Sequence, residues 1–581
     1  MPFTDAGGNT YLNLIDPNTV SSIEVLKGPG GSLYGANTGG VVVLHTDELS
    51  VLQNDNSIKD HRFRLQLNGG SYGTFGEQAQ WKFRGKNTSS SFTQSHLQAD
   101  GYRTNSKLRR DVLQWNANTR LSQKDKLEWI LLYADLYYQT PGGLNLAQMQ
   151  QNPRQARPPT AVVPGAVEQK AAIYNKTWFG GISNTFSFSK HWSNVTSLSF
   201  SHTDFKNPFI TNYEKRDESN VAVRSKFVYD ASFSQFDFKL IGGAEWLYGY
   251  ASIDNYGNRA GVRDTVQSKD RLWVRQWYPF VQMEWQLNKK LLLQAGASTN
   301  AYLYHYKRLS GSDNEKKKKK FDEQFLPRIA LLYPFSRRFS AYASVSKGFS
   351  PATLAEFRSS DNNINTELQP EFGWNYETGF RFGYPNSGLQ LEASFYYFKL
   401  QQAIVRRLNN AGAEFFVNAG GTDQKGVELK AAYTFNLKDA KVNLLKIWSS
   451  YTYNDYIFKK YILGTADYSN NRITGVPKNI SLAGIDINTV WGIYLYTSLN
   501  HTSKLPLNDA NDEFAKSFTL LQAKVGWKKQ FRPSFGMELY VGADNLTNER
   551  YSLGNDINAL GRRYYNPAAV DNYFGGLIVN F

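Results

Sequence analysis

The most regular feature of the chain is an alternation of apolar and polar side chains with a period of two residues. In the segment 374–382, the apolar positions Trp374, Tyr376, Phe380 and Phe382 alternate with Asn375, Glu377, Gly379 and Arg381. The segment 426–435 has the same sidedness, with apolar side chains at Val427, Leu429, Ala431, Tyr433 and Phe435. Successive side chains of a strand point to opposite faces, so this period predicts β-strands with one apolar face.

Alternating segments follow one another from residue 61 to the C-terminus. Short polar turns are predicted at ten places, near 85–90, 121–126, 188–193, 233–236, 286–290, 334–338, 384–388, 436–441, 488–491 and 529–534. Longer polar loops are predicted at eleven places, near 69–76, 100–110, 140–174, 206–220, 250–275, 306–321, 349–371, 401–423, 455–477, 503–515 and 546–571. These connections join twenty-two strands, and an even count with short turns at one end is typical of membrane barrels. The pattern therefore predicts an all-β fold, a 22-stranded antiparallel transmembrane β-barrel.

Composition favours a barrel over a bundle of membrane helices. Apolar residues form 41% of the 581 residues and the mean hydropathy is −0.50, without a continuous apolar run long enough for a membrane helix. A barrel has low average hydropathy because its strands alternate lipid-facing and lumen-facing side chains. Aromatic residues reach 15%, which suits the girdles of rings that barrels place at both membrane interfaces.

Candidate chemistry is sparse. The chain has no cysteine, and its seven histidines form neither an H-x-x-x-H pair nor an H-E-x-x-H motif, so we expect no enzyme activity, metal site or cofactor. The net charge of +16 would permit nucleic-acid binding. However, lysines and arginines are spread along the chain, and the dense run Lys316 to Lys320 lies in a predicted loop. We therefore expect no nucleic-acid partner.

A glycine-dense segment, 20–46, precedes the alternating part of the chain. Its glycines stand at 28, 30, 31, 35, 39 and 40, between two short apolar runs. Glycine at such density marks sharp turns or close backbone approaches. The order G-P-G-G-S-L-Y-G lacks the G-K-[ST] ending of a phosphate-binding loop and the G-x-G-x-x-G spacing of a dinucleotide site.

This segment resembles the end of the plug domain of TonB-dependent outer-membrane receptors of the siderophore-receptor type. Further blocks resemble the same family: Q-T-P-G-G-L at 139–144, S-K-G-F-S-P-A-T-L-A-E-F at 346–357, N-Y-E-T-G at 375–379, N-A-G-G-T-D-Q-K-G-V-E-L at 418–429 and A-D-N-L-T-N-E-R-Y at 543–551. The resemblance implies the C-terminal remnant of a lumenal plug domain at 1–48 and the barrel at 49–581. It also implies that the signal peptide, the coupling box and most of the plug are missing.

The family resemblance implies three kinds of site. A plug–barrel lock is expected from Lys27 with Glu377 and Glu428, which both have lumen-facing parity. Ligand-binding side chains are expected in the long loops and upper lumen, at Tyr137, Tyr138, Arg154, Arg157, Arg406, Arg407, Arg562 and Arg563. The terminal strand resembles the signal by which outer-membrane barrels are recognised for insertion, carried by Tyr573, Leu577, Val579 and Phe581.

The function implied by the resemblance is energy-coupled uptake of a scarce nutrient across the outer membrane, with a ferric siderophore as the expected ligand. The expected partners are outer-membrane lipid, the barrel-assembly machinery and the energy-coupling TonB complex, whose contact segment is absent from this sequence. Uptake of cobalamin, haem or oligosaccharide on the same scaffold remains open. A passive porin-like channel also remains open, although the plug segment argues against an open pore.

Overall fold

The computed structural model describes residues 1–46, 60–161, 163–288, 290–312, 314–383, 388–408, 413–435, 437 and 441–581. The first of these ranges forms a small unit inside the barrel. It contains 3-10 helices at Leu12–Leu14 and Pro17–Thr19, followed by β1 (Val20–Lys27), α1 (Gly31–Tyr34) and β2 (Gly40–Thr46). Strands β1 and β2 pair as an antiparallel hairpin, with Val25 opposite Val42 and Lys27 opposite Gly40. We call residues 20–46 the plug hairpin.

Almost all other regular structure is extended. The remaining strands are β3 (Asp60–Gly70), β4 (Thr74–Arg84), β5 (Thr88–Ala99), β6 (Leu108–Arg120), β7 (Asp125–Gln139), β8 (Ala172–Ser187), β9 (Trp192–Pro208), β10 (Asn212–Ser232), β11 (Phe236–Arg259), β12 (Val262–Leu287), β13 (Leu291–Arg308), β14 (Lys317–Lys320), β15 (Gln324–Pro334), β16 (Phe339–Ser350), β17 (Glu371–Gly383), β18 (Gly388–Gln401), β19 (Ile404–Leu408), β20 (Glu414–Asn418), β21 (Gly421–Thr434), β22 (Val442–Lys460), β23 (Ile462–Leu463), β24 (Ala466–Asp467), β25 (Asn479–Thr489), β26 (Ile493–Thr502), β27 (Leu505–Pro506), β28 (Phe514–Ala515), β29 (Phe518–Arg532), β30 (Phe535–Asp544) and β31 (Asn572–Asn580). The helices are α2 (Leu146–Gln151), α3 (Leu354–Phe357) and a 3-10 turn at Leu560–Arg562. Within the described ranges, no helix has the length and apolar character needed to cross a bilayer.

The long strands close into one antiparallel barrel. Its seam is the pairing of β3 with β31, where Leu65 lies opposite Val579. Strands β14 and β15 both pair with β13 along successive parts of one edge, so together they occupy a single position in the barrel. Counted in this way, the described part of the chain forms the 22 strands that the alternation predicts, and the all-β prediction is confirmed. Four two-stranded hairpins stand outside this sheet: β1–β2, β19–β20, β23–β24 and β27–β28.

The two ends of the barrel carry different connections. Seven of the ten predicted short turns lie wholly in the described part of the chain, and they connect consecutive barrel strands at one end, which we call the turn end. The opposite end, the loop end, carries the long connections. The turns near 286–290, 384–388 and 436–441 include residues outside the described part of the chain. The boundary predicted between 48 and 49 also lies outside it.

Three of the predicted long loops are wrong. The segments near 69–76, 206–220 and 250–275 are mostly strand, and their connections are only 71–73, 209–211 and 260–261. In the last case the ladder continues through polar positions, with Asp254 opposite Lys269. The prediction took polar residues to indicate a loop. A sheet that extends beyond the bilayer has polar side chains because its outer face meets water, and its strands still keep their backbone hydrogen bonds.

The alternation along each strand separates the two faces of the barrel. Trp374 and Tyr376 are 40% and 47% exposed on the outer face, whereas Asn375 between them is 5% exposed on the lumen side. At the seam, the ring of the last residue, Phe581, stacks on Phe63 with centroids 5.8 Å apart. The outer face is therefore apolar and the inner face polar, as a membrane barrel requires.

The plug hairpin packs against aromatic side chains of the lumen wall. Leu33 and Ala36 border a buried cluster that includes Tyr278 of β12 and Phe349 of β16. Gly35 adopts φ +72°, and a Cβ added there would lie 2.7 Å from the ring of Tyr278. Only glycine fits this position, because both the backbone conformation and the close approach exclude a side chain.

The long connection between β16 and β17 folds back into the lumen and is held there by buried charges. The Asp270 carboxylate of β12 is fully buried and accepts hydrogen bonds from Arg358 Nε at 2.9 Å and Arg308 Nε at 2.8 Å. In the same connection, the backbone N–H of Leu354 donates a hydrogen bond to the carbonyl of Gly7 at 2.7 Å. This loop therefore contacts the chain that precedes the plug hairpin.

We expect the substitution Asp270→Asn to destabilise the barrel strongly, because it removes the closer of the two carboxylates that pair with the buried Arg358 guanidinium and leaves Glu214 at 3.6 Å. Breaking a buried pair by removing one partner costs about 3–5 kcal/mol. The free energy of unfolding, measured by urea titration of the protein folded into lipid vesicles, should fall by that amount. Asp264→Asn is the control, since its pair with Arg259 is largely exposed and its loss should cost less than about 1 kcal/mol. Equal losses in both variants would contradict a central role for the buried pair.

Candidate functional site

The plug hairpin meets the barrel wall through the residues predicted as a lock. Lys27 Nζ donates a hydrogen bond to Glu428 Oε2 of β21. Glu377 of β17 accepts instead from the hydroxyl of Tyr342 at 2.9 Å. The backbone next to Lys27 reaches the same wall, because a Cβ added at Gly28 would lie 3.8 Å from Glu377 Oε2. Lys27 thus contacts one of the two predicted glutamates and its neighbour lies against the other.

The Lys27–Glu428 pair is only partly shielded from solvent. The Lys27 side chain is 45% exposed and that of Glu428 is 23% exposed. Exposed ion pairs contribute little to stability, since water screens them. This pair is therefore better suited to setting the position of the hairpin than to stabilising the whole fold.

Residues 1–46, which we call the plug unit, make other contacts with the wall that were not predicted from the sequence. Arg224 of β10 donates to the carbonyl of Leu33 at 2.7 Å, and Ser298 of β13 donates to the carbonyl of Gly31 at 2.7 Å. Nearer the N-terminus, Gln78 of β4 donates to Asp16 Oδ2 at 2.9 Å. These partners are far apart in sequence and no local pattern marks them, so only the folded structure reveals them.

The two predicted ligand-binding tyrosines lie on opposite faces of β7. Tyr137 is on the outer face, where its ring lies 4.8 Å from that of Tyr174. Tyr138 is on the lumen side and packs next to the cluster around Leu14 of the plug unit. Adjacent strand residues cannot share a face, so the structure does not bring these two rings together.

Three of the predicted arginines already have partners at the loop end. Arg154 donates to the carbonyl of Tyr102 at 3.1 Å and lies over its ring. Arg407 lies 2.8 Å from the buried carboxylate of Asp509. Arg562 lies 3.4 Å from Glu513 and its side chain is 71% exposed. These contacts join loops to one another or lie at the surface.

Two of the other three predicted arginines, Arg406 and Arg157, lie near one acid, Asp556, and Arg563 lies near Arg157. Arg406 lies 3.9 Å from Asp556 and 2.5 Å from Glu414. Burial raises the pKa of Asp556, and nearby arginines, among them Arg406 and Arg157, oppose that shift. Burial also lowers the pKa of Arg157 to about 10, with Arg563 adding a like-charge contribution and Asp556 opposing it.

Sequence reasoning missed a fourth arginine of this group, because nothing in its neighbourhood distinguishes it from other loop residues. Arg103 is 7% exposed and donates to the carbonyls of Gly142 and Gln155 at 2.7 and 2.9 Å. Burial lowers its pKa to about 10, opposed by Asp556. We call Arg103, Arg157, Arg406 and Arg563 the arginine cluster.

The arginine cluster carries more positive than negative charge. Arg406 contacts Asp556 and Glu414, and Arg103 and Arg157 also lie near Asp556. Among the described residues, neither Arg157 nor Arg563 has a carboxylate within 4.0 Å, and the buried Nε atoms of Arg157 and Arg406 have no hydrogen-bond partner. Guanidinium groups in this state can bind an anion through charge-assisted hydrogen bonds.

Several loops meet around the arginine cluster. Leu144 and Tyr565 form a β-bridge, and Tyr564 and Tyr565 pack with Leu507 in a buried apolar cluster. Asn558 also donates to the carbonyl of Arg406 at 3.2 Å. Described residues of the connections 140–171, 503–517 and 545–571, together with Arg406 of β19, thus form one assembled surface at the loop end.

A closed 22-stranded barrel that holds a glycine-rich hairpin in its lumen defines a class of outer-membrane receptor whose pore is occupied by its own chain. Residues 169–546 match the family described as TonB dependent receptor-like, beta-barrel, and residues 1–42 match the TonB-dependent Receptor Plug Domain. The chain belongs to the TonB-dependent receptor family. Its members are transport receptors of the outer membrane and not enzymes.

Two curated relatives are receptors for iron chelates. The chain is 22% identical to the ferrioxamine receptor of Yersinia enterocolitica over 622 residues, which cover 94% of this chain and 78% of that receptor. It is 25% identical to the ferrioxamine B receptor of Salmonella typhimurium (strain SL1344) over 228 residues, which cover 39% of this chain and 30% of that receptor. The second match therefore spans less than a third of the relative's length.

Solved structures show the same fold. The unliganded ferric citrate transporter FecA superposes with a TM-score of 0.80 at 14% identity, covering 98% of this chain and 85% of that chain. At this identity the likeness concerns the fold alone. The likeness supports one shared architecture, a closed barrel with a plug segment inside it.

We predict that reversing the charge of Lys27 displaces the plug hairpin. Lys27→Glu places a negative charge against Glu428, so the hairpin should leave the wall and the conductance of the protein in planar bilayers should rise. The double variant Lys27→Glu/Glu428→Lys restores the opposite charges and should return the conductance to the original level. An unchanged conductance in Lys27→Glu, or no recovery in the double variant, would show that the pair does not position the hairpin.

Proposed function

We propose that the chain is a receptor for energy-coupled uptake of a ferric siderophore across the outer membrane. The two relatives named above carry ferrioxamine in their names, and one of the similar solved structures is a ferric citrate transporter. The chain combines the two parts that such uptake needs, a binding surface at the loop end and a plug hairpin beneath it. Uptake of cobalamin, haem or oligosaccharide has no comparable support among these relatives.

The arginine cluster is the observation that supports this proposal most directly. Loops of outer-membrane barrels face the cell exterior, whereas short turns face the periplasm. The cluster therefore faces the side from which a nutrient arrives. Arg157 and Arg563 lack acid partners within the described residues, and Arg157 Nε has no hydrogen-bond partner there, so positive charge is available to an anionic or oxygen-rich chelate.

Passage through the barrel requires the plug hairpin to move. In this proposal the chelate is held first by the arginine cluster, and the TonB complex then delivers energy to the plug. Displacement of the hairpin would break the contact between Lys27 and Glu428 and open the lumen beside β21. A passive channel has no need of these contacts, which is why we favour active transport over a porin-like function.

Two further partners belong to the same proposal. Lipid of the outer membrane contacts the apolar outer face, and the barrel-assembly machinery recognises the terminal strand. In that strand Tyr573 is 54% exposed on the outer face, and Leu577 and Val579 pair with Leu67 and Leu65 of β3. Phe581 ends the strand against Phe63.

We expect the double variant Arg157→Gln/Arg563→Gln to bind an anionic ferric chelate such as ferric citrate at least about tenfold more weakly. Hydrogen bonds to charged groups contribute about 1.5–3 kcal/mol, and every 1.4 kcal/mol is tenfold in affinity. Binding would be measured by the quenching of intrinsic fluorescence in detergent, with ferrioxamine B as a second ligand. Arg562→Gln is the matched control, because this neighbouring side chain is 71% exposed.

This binding experiment tests whether the arginine cluster is the binding site, and its result does not depend on whether the protein transports the chelate. Wild-type affinity of the double variant for every chelate bound by the parent protein would rule out the arginine cluster as the binding site. Equal losses in the Arg562→Gln control would also do so, since they would indicate a general effect of lowering the loop charge.

Uptake itself is tested in the cell. A strain that lacks the gene should grow more slowly under iron limitation when the cognate ferric siderophore is the iron source, and the gene should restore growth. Accumulation of radioactive iron from each chelate gives the direct measurement. Unchanged growth and iron uptake on every chelate tested would refute the proposal, and a defect confined to cobalamin, haem or oligosaccharide would replace the ligand.

A further inference from the structure

A second group of basic side chains lies on the outer face of the barrel, away from the lumen. On β11, β12 and β13 the register places Trp246, Trp277 and Ala301 in one outward row. The rows nearer the loop end hold Tyr248 opposite Arg275, and Trp273 opposite His305, followed by Arg271 opposite Lys307. The outward face therefore changes from apolar to aromatic and then to basic along these strands.

The apolar part of this face has the length of a membrane-spanning strand. Counted from the turn end of β12, the outward side chains are Leu287, Trp285, Met283, Val281, Pro279 and Trp277, and none is charged. A tilted strand needs about 9–11 residues to cross the hydrocarbon core. The rows with Trp285 and Trp277 thus lie at the two interfaces, and Arg275 and Arg271 lie just beyond the interface on the loop side.

Strand β14 adds more positive charge to the same place. Its Lys318 lies opposite His305 and its Lys320 lies opposite Leu303, both on the outer face. The ammonium group of Lys316, just before this strand, lies 4.1 Å from the ring centroid of Trp273. We call Arg271, Arg275, Lys307, Lys316, Lys318 and Lys320 the outer basic patch.

Few acids offset the outer basic patch. Asp254 pairs with Arg271 at 2.7 Å and Glu323 with Lys320 at 3.4 Å. Within the described ranges, Lys307, Lys316 and Lys318 have no carboxylate within 4.0 Å. These three lysines therefore lie at or just beyond the row of Trp273, on the loop side of the interfacial row of Trp277, where the headgroups of the surrounding leaflet lie.

We propose that the outer basic patch binds the phosphate groups of anionic lipids in the leaflet on the loop side of the membrane. A soluble ligand on its way into the lumen would meet the arginine cluster, whereas this patch faces outward and begins at the lipid boundary. Lysine stems cover the aromatic rings and their ammonium groups reach the headgroups. The attraction acts within about a Debye length, so added salt weakens it.

The test uses the triple variant Lys307→Gln/Lys316→Gln/Lys318→Gln of the full chain, reconstituted in phosphatidylcholine vesicles. Electron paramagnetic resonance of spin-labelled phosphatidylglycerol, compared with spin-labelled phosphatidylcholine, gives the preference of the protein for the anionic headgroup. The parent protein should prefer phosphatidylglycerol, and salt should reduce that preference. In the triple variant, the preference for phosphatidylglycerol should fall at least about fivefold, which is the factor expected for one surface cation near an anionic leaflet.

Two further variants make the result specific. Lys86→Gln/Lys124→Gln/Lys190→Gln removes the same charge from exposed turns at the turn end and should keep the preference. Lys307→Arg/Lys316→Arg/Lys318→Arg keeps the charge and should also keep it. Full preference in the glutamine variant of the patch, or an equal loss in the turn-end variant, would overturn the proposal. Unchanged binding of ferric chelates by the patch variant would show that it is folded and that the lipid site is separate from the ligand site.

Discussion

The fold depends on one constraint, that every backbone hydrogen-bonding group inside the membrane must find a partner within the protein. Water is absent from the hydrocarbon core, so an open sheet edge there would leave a row of unpaired groups. The seam between β3 and β31 removes that edge by joining the first and last strands of the sheet. Closure through 22 strands encloses a lumen too wide for the wall side chains to fill. The chain therefore has to supply other segments to occupy it.

The segments that occupy the lumen explain much of the inner chemistry. The plug hairpin and the connection between β16 and β17 bring backbone carbonyls and charged groups against a polar wall. Buried polar groups need partners, which the wall supplies through side chains such as Arg224, Ser298 and the Asp270 carboxylate. Ser298 and Asp270 are buried, whereas the Lys27 side chain that contacts Glu428 is 45% exposed to solvent. This difference suits a hairpin that is held in place but has to be released.

Alternation along a strand also separates two charged surfaces with different partners. Asp270 points inward and anchors a loop, while its neighbour Arg271 points outward toward the lipid boundary. At the loop end, the arginine cluster gathers charge above the lumen, and the outer basic patch gathers charge around the outside. Because adjacent residues lie on opposite faces, a single run of polar sequence contributes to both surfaces.

The sequence by itself determined the strand number, the ends of the barrel and the sidedness of each strand, because a period of two and the turn residues are local signals. It also marked Lys27 and Glu428, through resemblance and parity. It misjudged the connections near 206–220 and 250–275, since polarity does not distinguish a loop from a strand that extends into water. It could not select Arg157 and Arg563 from the other loop arginines, nor detect Arg103. Those assignments depend on contacts between segments hundreds of residues apart, which only the closed barrel and its packed loops bring together.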